Sequence, residues 1–157
     1  MNPEIKIAEP QLSGTALPVE TPDLLAREEE VSGRAFRGGD ISGLACDHLA
    51  VTGCSFTGCR LSGVVWRHAH LADVVFRNCD LSGGAFAECR FEQVAFSECR
   101  LAGAEFFGTR LRGISLADSD IRGIRIREIS SVELNGLKVN ALQACDLVRL
   151  LGVEIED

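Results

Sequence analysis

The chain reads as a solenoid, and two periodicities say so. Every fifth residue from Val31 to Ile126 is apolar: Val31, Phe36, Ile41, Cys46, Val51, Phe56, Leu61, Trp66, Leu71, Phe76, Leu81, Phe86, Phe91, Phe96, Leu101, Phe106, Leu111, Leu116, Ile121 and Ile126. Against a background of 46% hydrophobic residues, such a run arises by chance about once in 10⁷ registers. The period fits neither the helical repeat of about 3.6 nor the strand repeat of about 2. Residues twenty apart also match. Phe36, Phe56, Phe76 and Phe96 form one column, and Trp66, Phe86 and Phe106 another. Leu61, Leu81 and Leu101 form a third, between Ile41 and Ile121. Fixed short repeats of this kind belong to architectures in which each unit stacks on the next.

The remaining positions follow the same periods. Two residues before each large apolar residue sits a small or aliphatic one, as at Cys54, Cys59, Val64, Ala69, Val74, Cys79, Cys89, Val94 and Cys99. The large side chains point inward and the small ones fill the space left over. Gly43, Gly63, Gly83, Gly103 and Gly123 form a glycine column, as expected of a turn with positive φ. Asp40, Arg60, Asp80, Arg100 and Asp120 alternate in sign down another column, which predicts weak attraction between neighbouring rungs, about 0.2–1 kcal/mol per pair.

Runs such as CRLSG (59–63), CDLSG (79–83), CRFEQ (89–93) and CRLAG (99–103) resemble the pentapeptide-repeat family, whose consensus is roughly A-(D/N)-L-X-X. The resemblance covers about residues 31–130. It implies an all-β solenoid, a right-handed quadrilateral β-helix in which each pentapeptide makes one face and four make a coil. Residues 31–140 would then give about five to six coils, stacked about 4.8 Å apart.

Open coil ends expose unpaired strand edges, and the flanking segments read as covers for them. Residues 1–30 form an acidic N-terminal segment with a short helix over 22–30, started by Thr21, Pro22 and Asp23. Residues 141–157 form a C-terminal capping helix and tail. Asn140 and Gln143 have capping-box spacing, the helix covers 141–151 with Gly152 as its stop, and VEIE (153–156) forms a short strand. The helix carries more apolar residues than one stripe needs. Leu147, Leu150 and Leu151 are therefore candidate interaction residues, and a homodimer through this helix is the partner they suggest.

Charge and cysteine content bound the function. The net charge is −7, yet residues 31–140 hold 12 acids and 13 bases, so the acidity lies at the ends. That balance argues against direct nucleic-acid binding and against a continuous acidic surface. His70, Arg90 and Arg110 form a basic column, with Arg90 and Arg110 as candidate contacts to an acidic partner. The opening MNPEIKIAEP has acids and prolines where a signal peptide needs an apolar core, and no apolar run is long enough to span a bilayer. With seven cysteines, an odd number, this predicts a cytoplasmic protein with free thiols, not a membrane protein. Cys59, Cys79 and Cys99 read as small packed core residues.

No nucleophile elbow, P-loop, HExxH or paired-cysteine motif is present, and the Ser42, Ser62 and Ser82 column has no base beside it. His48 and His68 lie twenty apart with His70 nearby, but the sequence places no carboxylate or thiolate next to them. No catalytic residue, cofactor or metal is therefore assigned. The expected function is a non-enzymatic structural or protein-interaction module with an unidentified protein partner. The resemblance adds an alternative, a DNA mimic that binds DNA gyrase or topoisomerase and modulates quinolone sensitivity.

Overall fold

The computed structural model describes residues 19–128 and 136–150. They form a parallel β-solenoid in which backbone partners lie twenty residues apart. Phe36 pairs with Phe56, Phe56 with Phe76, and Phe76 with Phe96. A five-residue repeat in a twenty-residue coil gives four faces. The first carries the Phe36 column, the second the Ile41 column, the third the Trp66 column and the fourth the Val31 column. The fourth and first share one nine-stranded sheet, because His70–Arg77 and Arg90–Arg100 continue from one face to the next. The third is a separate five-stranded sheet of Ala45–Asp47, Val65–Arg67, Ala85–Ala87, Glu105–Phe107 and Arg125–Arg127. The second is built from tight turns joined by single bridges at Asp40, Arg60, Asp80 and Arg100.

The interior is filled. Phe36, Phe56, Phe76, Phe96, Trp66, Phe86, Phe106, Leu61, Leu81 and Leu101 are all buried. The Phe36, Phe56, Phe76 and Phe96 rings stack at 4.6, 4.7 and 5.0 Å, the spacing that the rungs impose. Trp66 meets Phe86 edge-on at 5.7 Å. Each such aromatic pair contributes about 0.5–1.5 kcal/mol beyond its burial.

Cys59, Cys79 and Cys99 are buried as well, but they do more than fill space. Their thiols donate to the carbonyls of Phe36, Phe56 and Phe76 at 3.6, 3.4 and 3.3 Å. Ser119 continues the column and donates to Phe96 at 3.1 Å. On the next corner Cys89 donates to the Trp66 carbonyl, and Thr109 to that of Phe86 at 3.0 Å. Thiol and hydroxyl are interchangeable here, because the corner needs a short side chain with one donor. Burial pushes the Cys89 thiol up to about 11, which keeps it protonated and able to donate.

The glycine column is one part of a wider rule. Every fifth residue from Gly33 to Gly113 has a positive φ, between 52° and 75°. Glycine accepts this freely. His48, His68, Asp73, Asn78, Glu88, Gln93 and Glu98 occupy the same corner position without that freedom, at a cost of about 1–2 kcal/mol each.

Both ends of the described coils are covered. At the N-terminal end Val19–Glu20 pairs with Ala35 and Phe36. The expected helix over 22–30 is instead a five-residue 3₁₀ turn, Pro22–Ala26, whose Leu25 is buried. The chain must re-enter the coil at Glu30–Ser32 to place Val31 in the core, and this stops the turn early. The Thr21 hydroxyl caps no backbone N–H and donates to the Asp23 carboxylate.

At the other end Lys138 pairs with Ser115 and leads into helix Ala141–Leu150. The capping box is formed. The Asn140 N–H donates to Gln143 Oε1, and the Gln143 N–H donates to Asn140 Oδ1, both at 2.8 Å. Gln143 is buried, and its Nε2 donates to the Leu116 and Ser119 carbonyls at 2.7 and 2.6 Å. It thus saturates acceptors at the end of the solenoid. The expected features at Leu151, Gly152 and 153–156 lie outside the described residues.

Two stability predictions follow from these donors. Thr109→Val, which keeps shape but removes the corner donor, is expected to cost about 1–3 kcal/mol. Thr109→Cys restores a donor and is expected to cost less than about 1 kcal/mol; urea unfolding followed by the fluorescence of Trp66 orders the two. Gln143→Ala should likewise cost about 1–3 kcal/mol, and Gln143→Glu more, because a carboxylate would face two carbonyls. Thermal melts of the three chains check that order.

Candidate functional site

With the interior packed, chemistry is confined to the outer columns. On the second face the alternating Asp/Arg column exists in register, but its first duty is local. Asp40, Asp80 and Asp120 accept the N–H of Ser42, Ser82 and Arg122 at 2.9, 3.0 and 3.1 Å, closing each turn. Arg122 adds a bidentate pair to Asp120 at 2.9 and 2.7 Å. Asp120 is held down at about 2, first by the Arg122 side chain and then by its N–H. In Asp80 burial works upward, and the Ser82 hydrogen bonds together with Arg100 and Arg60 outweigh it. The rung-to-rung attraction read from the sequence is therefore secondary to the turn. In the serine column Ser62 donates to Ser42 at 2.9 Å and Ser82 donates to the Asp80 carboxylate, so the structure corrects the expectation of no base beside this column: the turn-closing aspartate stands next to Ser82.

On the fourth face His70, Arg90 and Arg110 are backbone partners on successive strands. Arg90 and Arg110 are exposed. Beside them runs Ala72, Glu92 and Arg112, so the face is mixed and not purely basic. His70 Nε2 lies 3.6 Å from Glu92 Oε2. On the C-terminal helix Leu147 packs half-buried against the core, while Leu142 is 76% exposed. The side chains of Leu150 and Leu151 lie outside those described.

The third face carries small apolar residues on its outside over its first rungs. Ala45, Val65, Ala85 and Ala87 point outward, and Ala45, Asp47, Val65 and Arg67 border a shallow groove with Cys46 at its base. Phe107 is 42% exposed further along. At the corner ending this face stand His48, His68 and Glu88, one per rung, all at positive φ. The two imidazoles stack at 4.9 Å, 16° from parallel. Asp47 Oδ1 lies 2.8 Å from His48 Nδ1 and 3.0 Å from His68 Nδ1. Glu88 Oε2 lies 2.7 Å from His68 Nε2. The Asp47 carboxylate raises the His68 pKa, with Glu88 adding to it, and His68 in return lowers that of Asp47.

The structure corrects the sequence reading at this point, since two carboxylates stand beside the histidines. The signal was present. Glu88 is the next residue of the column through His48 and His68, and Asp47 immediately precedes His48. Among the described residues, Asp47, His48 and His68 form a group whose ligand atoms lie within 4.8 Å of one another.

No helix among the described residues is long and apolar enough to cross a membrane. A family model described as a pentapeptide repeat region matches residues 49–126. Similar solved structures include a trypsin-treated form of QnrB1, a plasmid-mediated fluoroquinolone resistance protein. It is 19% identical over 82% of this chain and 90% of that one, with a TM-score of 0.35. Full-length QnrB1 is 18% identical over 87% and 95%, with a TM-score of 0.26. The pentapeptide repeat protein Rfr23 from the cyanobacterium Cyanothece 51142 is 12% identical over 74% and 95%, with a TM-score of 0.21. No curated protein matches the chain.

Acid sensitivity tests the second-face turns. A carboxylate whose folded pKa is depressed adds stability above its unfolded pKa, which is lost as pH falls through the folded value. For Asp120 that window runs from the ordinary 3.8 down to about 2. Asp120→Asn is expected to start less stable at pH 6 and to lose less of its melting temperature between pH 5 and pH 2. Equal slopes in the two chains would count against the assignment.

Proposed function

The chain belongs to the pentapeptide-repeat family, and we propose from that premise that it is a non-enzymatic protein-binding rod. The filled interior carries this reading. Its large aromatic and aliphatic columns are buried rung after rung, so among the described residues the inside of the coils is occupied by side chains. What remains is a set of rigid outer faces on which side chains repeat at rung spacing. A protein surface can be matched to such a face without rearrangement on either side, which keeps the entropic cost of binding low.

Two surfaces support partners of different kinds. The Arg90 and Arg110 column suits an acidic protein segment. The C-terminal helix, with Leu142 exposed, suits a second copy of the chain. Light scattering on the purified chain reports the copy number directly, and Leu142→Glu is expected to reduce the mass of any dimer to that of one chain.

The partner-binding reading is tested by photo-crosslinkers placed at the fourth face and, as a control, at the second. A discrete adduct from the fourth face alone, lost in Arg90→Glu/Arg110→Glu, is the expected result. Identical adducts from both faces would refute a specific surface. A gyrase supercoiling assay with and without a quinolone belongs beside it. No inhibition is expected, because the repeat body carries 13 bases against 12 acids, where DNA mimicry needs a continuous negative surface.

A further inference from the structure

We infer that Asp47, His48 and His68 form a surface site for a divalent transition-metal ion of the Zn²⁺ type, held by one carboxylate and two imidazoles, with Glu88 orienting His68. This goes beyond the partner-binding reading and does not depend on it.

The donor set is the first argument. Two imidazoles and a carboxylate suit Zn²⁺, Ni²⁺ or Cu²⁺ and do not suit Mg²⁺ or Ca²⁺, which require six or more oxygens. Spacing is the second. Asp47 Oδ1 lies 2.8 and 3.0 Å from the two Nδ1 atoms. Around an ion with bonds of about 2.0–2.1 Å, tetrahedral ligand atoms sit roughly 3.3 Å apart. Asp47 Oδ1 already lies close to that distance from both nitrogens, while the two stacked rings, 16° from parallel, must turn toward each other for both lone pairs to meet one ion.

The outer partner is the third argument. Glu88 Oε2 lies 2.7 Å from His68 Nε2, the ring nitrogen that faces away from Asp47. A carboxylate on the far nitrogen of a ligating histidine is the usual outer partner of such an ion.

Rigidity is the fourth argument. The His48 N–H donates to the Arg67 carbonyl at 2.9 Å, and the His68 N–H donates to that of Ala87 at 3.0 Å. Both ligands thus hang from the rung-to-rung backbone. The site is open, so water completes the coordination. Arg67, the rung partner of Asp47, is the nearby cation that opposes binding.

The test is a titration of the full chain with Zn²⁺ in chelator-free reducing buffer, read by histidine side-chain NMR and by calorimetry. Saturable binding of one ion that shifts the His48 and His68 resonances is expected, with no response to Mg²⁺. His48→Gly and His68→Gly keep the corner conformation, since glycine already fills this column at Gly108. Each should weaken Zn²⁺ at least about tenfold, and Glu88→Gln should do so by about tenfold without removing a ligand. Trp66 fluorescence verifies that the variants fold. Absence of saturable binding, or binding that survives both glycine variants, would overturn the site. The latter would place the ion on thiols, and a pair of histidines that responds to protons alone would identify a proton, not a metal ion, as what they bind.

Discussion

The rung-to-rung backbone hydrogen bond governs this protein. Outside the second-face turns, coil N–H groups reach the chain about twenty residues away, as Gly38 does to Thr57 and Gly58 to Arg77, at 2.9 Å in each case. Once that ladder is set, a residue's environment is decided by its column. Phenylalanine stacks on phenylalanine, short donors stand over corner carbonyls, and like corners share one left-handed backbone. The same ladder has no intrinsic stop, so both ends need a dedicated cover. Leu25 in its 3₁₀ turn and Gln143 in its helix supply two chemically different ones. The first buries an apolar side chain, and the second saturates exposed carbonyls.

Most of the architecture was legible because a period of five is far from any competing period. The columns of Phe36, Trp66 and Leu61 could be named without coordinates, and the Asn140–Gln143 capping box was visible as a spacing. The N-terminal turn is shorter than its starting signals predict for a physical reason. Thr21, Pro22 and Asp23 are sound starting signals, but helix length was decided downstream by the need to seat Val31. As a sequence pattern the cysteines signal volume alone. Their donor role becomes visible only when Ser119 and Thr109 are seen to occupy the same columns.

The surface was harder to read than the core. A charge column in sequence says which residues are neighbours along the rod and not what each one does. Asp40, Asp80 and Asp120 proved to be turn-closing acceptors before they were partners of arginine. The histidine corner shows the opposite error. The column through His48, His68 and Glu88 was available, but Asp47 belongs to the neighbouring column and joins the group only because the chain turns there. Clusters that cross a corner are invisible to a column-by-column reading.

The equivalence of the four faces has an evolutionary consequence. Deleting or duplicating one pentapeptide leaves every inward position apolar, so the core can survive the event. All side chains beyond that point, however, turn by a quarter around the axis. An event between His70 and Arg90 would take Arg90 and Arg110 off the face they share with His70, and one between His48 and His68 would part those two rings. A lineage of such proteins can therefore reshuffle its outer pattern by small insertions while keeping an apolar interior. Only changes of a whole coil would preserve an inherited binding surface.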